Sequence, residues 1–139
     1  MLLYNKIILL FTCFVFIATV RHGPPSRTPW VTFYLNMNCS MRQEWCYNIT
    51  LLEMDPIVND VIATLPKRCP NDKIVETEIK GPVENDGWFD SDVEVAVSID
   101  HTCTSNGRLI NWQSKQYDFD LDNKKQKRFA KLNVTLYKH

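Results

Sequence analysis

The sequence predicts an all-β, two-sheet sandwich of about seven strands stapled by disulfides, on three observations. Apolar and polar residues alternate strictly in several stretches, most clearly Val93 to Cys103, where Val93, Val95, Val97, Ile99, His101 and Cys103 share one parity. A period of two is the mark of a half-buried strand. Clusters such as Asn85-Asp86-Gly87 and Ser105-Asn106-Gly107 place turn chemistry between these stretches. No segment carries the apolar stripe of an amphipathic helix, and short strands without helices pack as a sandwich or barrel.

Residues 1–20 stand apart. Lys6 precedes a nearly unbroken apolar run from Ile7 to Ala18, followed by Thr19 and Val20. This reads as a secretory signal peptide rather than a membrane anchor, because the run is shorter than the ~20 residues that span a bilayer. Its removal takes away Lys6 and Cys13, leaving 15 basic against 16 acidic side chains and four cysteines. A charge so near balance gives no global attraction to nucleic acid. Residues 21–29, with Pro24, Pro25 and Pro29, read as a flexible Pro-rich arm, and residues 30–139 as a single domain.

The first strand is expected from Trp30, with Val31, Phe33, Leu35, Met37 and Cys39 facing inward. A polar turn over 40–44 leads to a second, roughly Trp45 to Met54, in which Trp45, Tyr47, Ile49 and Leu51 oppose Cys46, Asn48 and Thr50. Asp55-Pro56 breaks that run. Val58 to Leu65 is compatible with a short strand or a helical turn, and Pro66 and Pro70 place Cys69 in a loop. Ile74 to Ile79 is rich in β-branched residues and ends at Gly81-Pro82. Trp88-Phe89 then leads into the Val93 strand. Leu109 to Leu121 returns after the hairpin, and its inward parity changes between Trp112 and Tyr117, which predicts a β-bulge near Ser114–Lys115. After the basic turn from Lys124 to Arg128, Leu132, Val134 and Leu136 form the last inward set.

Four cysteines in an exported chain imply two disulfides. Cys39 and Cys103 fall on inward parities, Cys46 points outward and Cys69 lies in a loop. Parity therefore favours Cys39–Cys103 across the sheets with Cys46–Cys69 at the surface, while 39–69 with 46–103 stays open. Closing the long 39–103 loop is worth on the order of 4 kcal/mol, comparable with the net stability of a small domain.

Three sequons, at Asn38, Asn48 and Asn133, are candidate glycosylation sites. Asn48 and Asn133 sit on outward parities. Asn38 is the poorer acceptor, because Cys39 occupies the middle of its sequon and bridging competes with glycan transfer.

Three pieces of the chain give it a family resemblance. Val31 to Cys39 looks like an opening strand that closes in cysteine, Ile49 to Asp55 follows at a matching distance, and Ile99-Asp100-His101-Thr102-Cys103 ends the central strand in the pattern I-x-H-x-C. Glu78-Ile79-Lys80-Gly81 adds an acidic–apolar strand running into glycine. In these respects the chain resembles the nematode transthyretin-like family of secreted proteins. It departs from that family at Leu35, where glycine is usual, in having no cysteine after Cys103, and in carrying Cys46 and Cys69. The resemblance implies a prealbumin-type sandwich without enzymatic activity and with a binding or signalling role outside the cell.

His101, two residues from Cys103, is the obvious catalytic suspect, but a Cys–His nucleophile needs a free thiolate and export makes Cys103 a disulfide partner. The expected role is an imidazole hydrogen-bonded at a strand end. Asp118, Asp120 and Asp122 alternate along one strand and lack the loop that wraps calcium; a solvated face is expected. Lys124, Lys125, Lys127 and Arg128 are expected to form a solvated turn; the sharper alternative is docking for an anionic partner such as a phospholipid head group or a sulfated glycan. Neither a phosphate-binding glycine loop nor a metal motif is present, and no cofactor is expected. The expected function is a secreted extracellular module that recognises a cell-surface receptor, lipid or protein partner. The alternative is a small carrier holding an apolar ligand between its sheets.

Overall fold

The computed structural model describes residues 28–41, 44–84, 92–123 and 126–137. The expected signal peptide, most of the Pro-rich arm, the Asn85-Asp86-Gly87 turn, Trp88, Lys124 and Lys125 lie outside the described residues. Among the described residues eight strands, rather than about seven, form two sheets: β1 Trp30–Cys39, β2 Tyr47–Glu53, β3 Asp60–Arg68, β4 Ile74–Pro82, β5 Asp92–His101, β6 Ile110–Gln113, β7 Tyr117–Asp120 and β8 Phe129–Leu136. One sheet has the order β4-β1-β8, with β1 antiparallel to β4 and parallel to β8. The other has the order β3-β2-β5-β6, and β7 pairs with β5 beyond β6.

The alternation in the sequence is the alternation of burial. Val31, Phe33, Leu35, Met37 and Cys39 are buried along β1, and Val93, Val95, Val97, Ile99 and His101 along β5. Between the sheets Phe33 meets Tyr117 edge-on with ring centroids 5.3 Å apart, and Phe119 at 6.1 Å. Side chains fill the space between the layers, and burying them supplies the main driving force for folding.

Three local readings sharpen or change. The Val58–Leu65 ambiguity resolves as β3, an edge strand that runs through Pro66 instead of breaking before it. Opposite β2 it carries two irregularities, one between the Tyr47 and Ile49 pairings and one between Leu51 and Leu52. Proline lacks an N–H, so an edge position at an irregular pairing accommodates it. The second irregularity leaves Ile62 unpaired and turned toward β4, where a Cβ on Gly81 would overlap its Cγ2 and lie 3.2 Å from the Ala63 Cβ. Glycine is needed there for close packing of the two sheets.

Leu109–Leu121 is two strands. From Gln113 to Tyr117 the chain takes one more residue than β5 takes from Ser98 to Val95, and this is the extra residue of a bulge. Ser114 occupies the break, its Oγ accepting from the Val97 N–H at 3.0 Å and its own N–H donating to the Val97 carbonyl at 2.9 Å. Inward parity therefore shifts from Trp112 to Tyr117 and Phe119. Gly107, at φ 73°, closes the preceding turn in the left-handed region.

Candidate functional site

The strand registers sort the connections to two poles. At one pole lie the ends of β1, β5 and β8, the start of β2 and the links 69–73 and 102–109. Both disulfides are here. Cys39–Cys103 joins the two sheets, with both residues fully buried, and Cys46–Cys69 ties the start of β2 to the end of β3. This is the pairing that parity favours. Hydrogen bonds reinforce it: the Trp45 Nε1–H donates to the Asp72 carbonyl at 2.9 Å, and Cys46 N–H to Thr102 Oγ1 at 2.8 Å. The Cys39 N–H donates to the Lys73 carbonyl at 2.7 Å.

His101 belongs to this stapled pole and is 1 % exposed, deeper than expected for a strand-end histidine. Its Nδ1 is buried and faces no hydrogen-bond partner, which corrects the expected hydrogen-bonded role. Burial holds the imidazole below its ordinary pKa, against a smaller upward pull from the Asp100 carboxylate. Cys103 beside it is bonded to Cys39 and carries no thiol.

At the opposite pole lie the start of β1, the β2–β3 turn, the end of β4 and the link from β7 to β8. No disulfide among the described residues reaches it. The β2–β3 turn holds its shape with the Asp55 N–H donating to Asn59 Oδ1 at 3.2 Å. At its tip Ile57 is 93 % exposed, with Val58 and Val61 also exposed nearby. Two adjacent aliphatic residues are thus held out of the core on a hydrogen-bonded turn. Alternation does not single them out; their signal in the chain is an apolar pair enclosed by Asp55-Pro56 and Asn59-Asp60.

Lys127 and Arg128 also lie at this pole. Lys127 is exposed, its Nζ 5.9 Å from the centre of the Phe129 ring. Arg128 is half-buried and turned back on the chain, donating from Nη2 to the Leu121 carbonyl at 2.7 Å. This bond ties Arg128 to the residue that follows β7. Asp120 Oδ1 accepts from the Asp122 and Asn123 N–H groups at 2.9 and 3.0 Å, so this carboxylate builds the same turn rather than a plain solvated face.

The sequons fall on the outer faces of both sheets. Asn48 is half-buried, and its Nδ2 donates to Asp100 Oδ2 at 3.4 Å. Asn38 is half-buried next to the bridged Cys39. Asn133 is exposed and in register with Asn36 across β1.

These features define a class: a small all-β sandwich with covalent ties at one pole and an aliphatic tip at the other. Residues 34–139 match the family described as Caenorhabditis elegans protein of unknown function, DUF870, and the chain belongs to that family. It is similar to the uncharacterized protein B0416.7 of Caenorhabditis elegans, at 32 % identity over 72 residues, which cover 52 % of this chain and 54 % of that relative. The chain thus spans about half the length of the curated relative it matches. No solved structure matches it.

Proposed function

We propose that the chain is a secreted extracellular binding or signalling module of transthyretin-like type, non-enzymatic, which recognises a cell-surface, lipid or protein partner through its disulfide-free pole. The observation that carries this reading is the β2–β3 tip, where Ile57 and Val58 are exposed on a turn fixed by Asn59. Apolar side chains exposed on positioned loops are the usual makings of a recognition surface. Export is supported by the paired cysteines, since disulfides persist in oxidising compartments. No helix among the described residues is long and apolar enough to cross a membrane. The carrier alternative needs an internal chamber, and Phe33, Leu35, Ile49, Val97 and Phe119 pack into that space.

The test uses the full chain secreted from a eukaryotic host, labelled and applied to nematode cells. Saturable binding that is lost in the folded Ile57→Asp/Val58→Asp variant supports the reading. Binding unchanged by those substitutions removes the pole from it. Charge reversal at Lys124, Lys125 and Lys127, read on heparin and on anionic liposomes, separates an anionic partner from an apolar one.

A further inference from the structure

The outer face of the three-stranded sheet is a grid whose rows follow from the registers. Thr32, Lys80 and Phe129 form one row, Tyr34, Glu78 and Lys131 the next, then Asn36, Glu76 and Asn133, and last Asn38, Ile74 and Thr135. The middle of this face is a shallow hollow of about 720 Å³ bordered by Tyr34, Asn36, Glu76, Glu78, Phe129 and Asn133. Two aromatic rings lie half-exposed along it, Tyr34 at 43 % and Phe129 at 45 %, packed edge-on with centroids 6.2 Å apart. An exposed aromatic pair beside amide and carboxylate groups is the composition that binds a sugar: the rings meet the C–H face of a pyranose, and the polar groups meet its hydroxyls.

A sugar also has a covalent point of attachment in this hollow. Asn133-Val134-Thr135 is a sequon with Asn133 and Thr135 both exposed. Strand spacing and rise put Tyr34 diagonally about 8 Å from Asn133, within the span of the first two sugars of a chain. Each other sequon is encumbered: Asn48 by the Asp100 carboxylate and half-burial, Asn38 by half-burial beside the Cys39–Cys103 bridge.

We propose that Asn133 carries an N-linked glycan whose first sugars lie along this hollow and cover Tyr34 and Phe129. Attachment uses a lipid-linked oligosaccharide diphosphate as donor. The Nδ2–C1 bond forms, the C1–O bond to the diphosphate breaks, the amide loses one proton and the lipid diphosphate leaves. The glycan then covers one face of the sandwich, leaving the aliphatic pole for recognition. This inference rests on the secretory reading above, because attachment happens only on that route.

The full chain is secreted from a eukaryotic host, and its N-glycans are removed enzymatically in heavy-oxygen water, which marks each occupied asparagine as labelled aspartate. Label at Asn133 is expected. Hydroxyl-radical footprinting then compares the folded glycosylated protein with the same protein after glycan removal, so no variant has to fold. Oxidation of Tyr34 and Phe129 is expected to rise several-fold on removal, while Met41, at the stapled pole, stays unchanged. Secreted protein bare at Asn133, or equal oxidation of Tyr34 and Phe129 in both forms, overturns the inference and leaves export standing. Retention of the chain in the cytosol overturns both.

Discussion

The two poles of the sandwich are built by opposite means. The stapled pole holds both disulfides, the indole–carbonyl bond from Trp45 and the Cys46–Thr102 pair of hydrogen bonds, and it buries His101. The other pole is held by local turn bonds at Asn59 and Asp120 and by the packing of Gly81 against Ile62, and it exposes Ile57. With the cross-links at one end, the turn at the other carries exposed aliphatic residues that contribute nothing to the core. The cross-linked and the exposed parts of the fold are thereby separated along the strand axis.

The largest effect that breaks this contrast is loss of the inter-sheet bridge. Replacing Cys39 and Cys103 together by Ala releases a 64-residue separation, and is expected to cost about 4 kcal/mol. The measurements are the urea midpoint and the secreted yield, and a midpoint close to wild type would show that packing alone holds the stapled pole. Next comes Gly81→Val, which drives carbon into Ile62 where the two sheets meet. Overpacking of this kind costs about 1–3 kcal/mol, read as a fall in Tm with both disulfides intact.

Acid should weaken the stapled pole selectively. An unfolded chain titrates His101 near its ordinary 6.5, whereas the buried imidazole resists protonation. Below that value the unfolded state binds more protons, so stability is fullest above it and declines as pH falls toward the lowered native pKa. In urea titrations from neutral to mildly acidic pH, His101→Phe should flatten that slope. An unchanged slope would assign it to the carboxylates.

The two bridges should also differ under mild reduction. Cys69 is exposed, whereas Cys39 and Cys103 are fully buried, and thiol exchange needs access to the sulfur. Alkylation mapping after brief exposure to a thiol is expected to find Cys46 and Cys69 labelled first. The smallest stability effect belongs to Ile57→Asp/Val58→Asp, within about 0.5 kcal/mol because neither side chain is in the core. A larger loss would show that the tip supports the fold and would collapse the division between the poles.

Much of this was legible in the chain because side chains in a strand have a period of two. The inward sets of β1, β2, β5 and β8 follow from alternation, and the directions of Cys39 and Cys103 follow with them. The change of parity after Trp112 located the extra residue opposite β5 for the same reason. Alternation failed in β3, whose two irregular pairings break the period, and this is where Pro66 reads as a terminator. His101 had the correct inward parity, but parity does not reveal whether a partner waits at the buried end.

The sequence by itself determined the strand faces and the positions of the sequons, because each depends on neighbours along the chain. Only the tertiary structure decided that β1 lies parallel to β8, that both disulfides gather at one pole, and that Asn133 shares a face with Tyr34 and Phe129. Those are relations between strands far apart in sequence. They are set by which apolar faces cover one another, and alternation along a single strand carries no record of its neighbour.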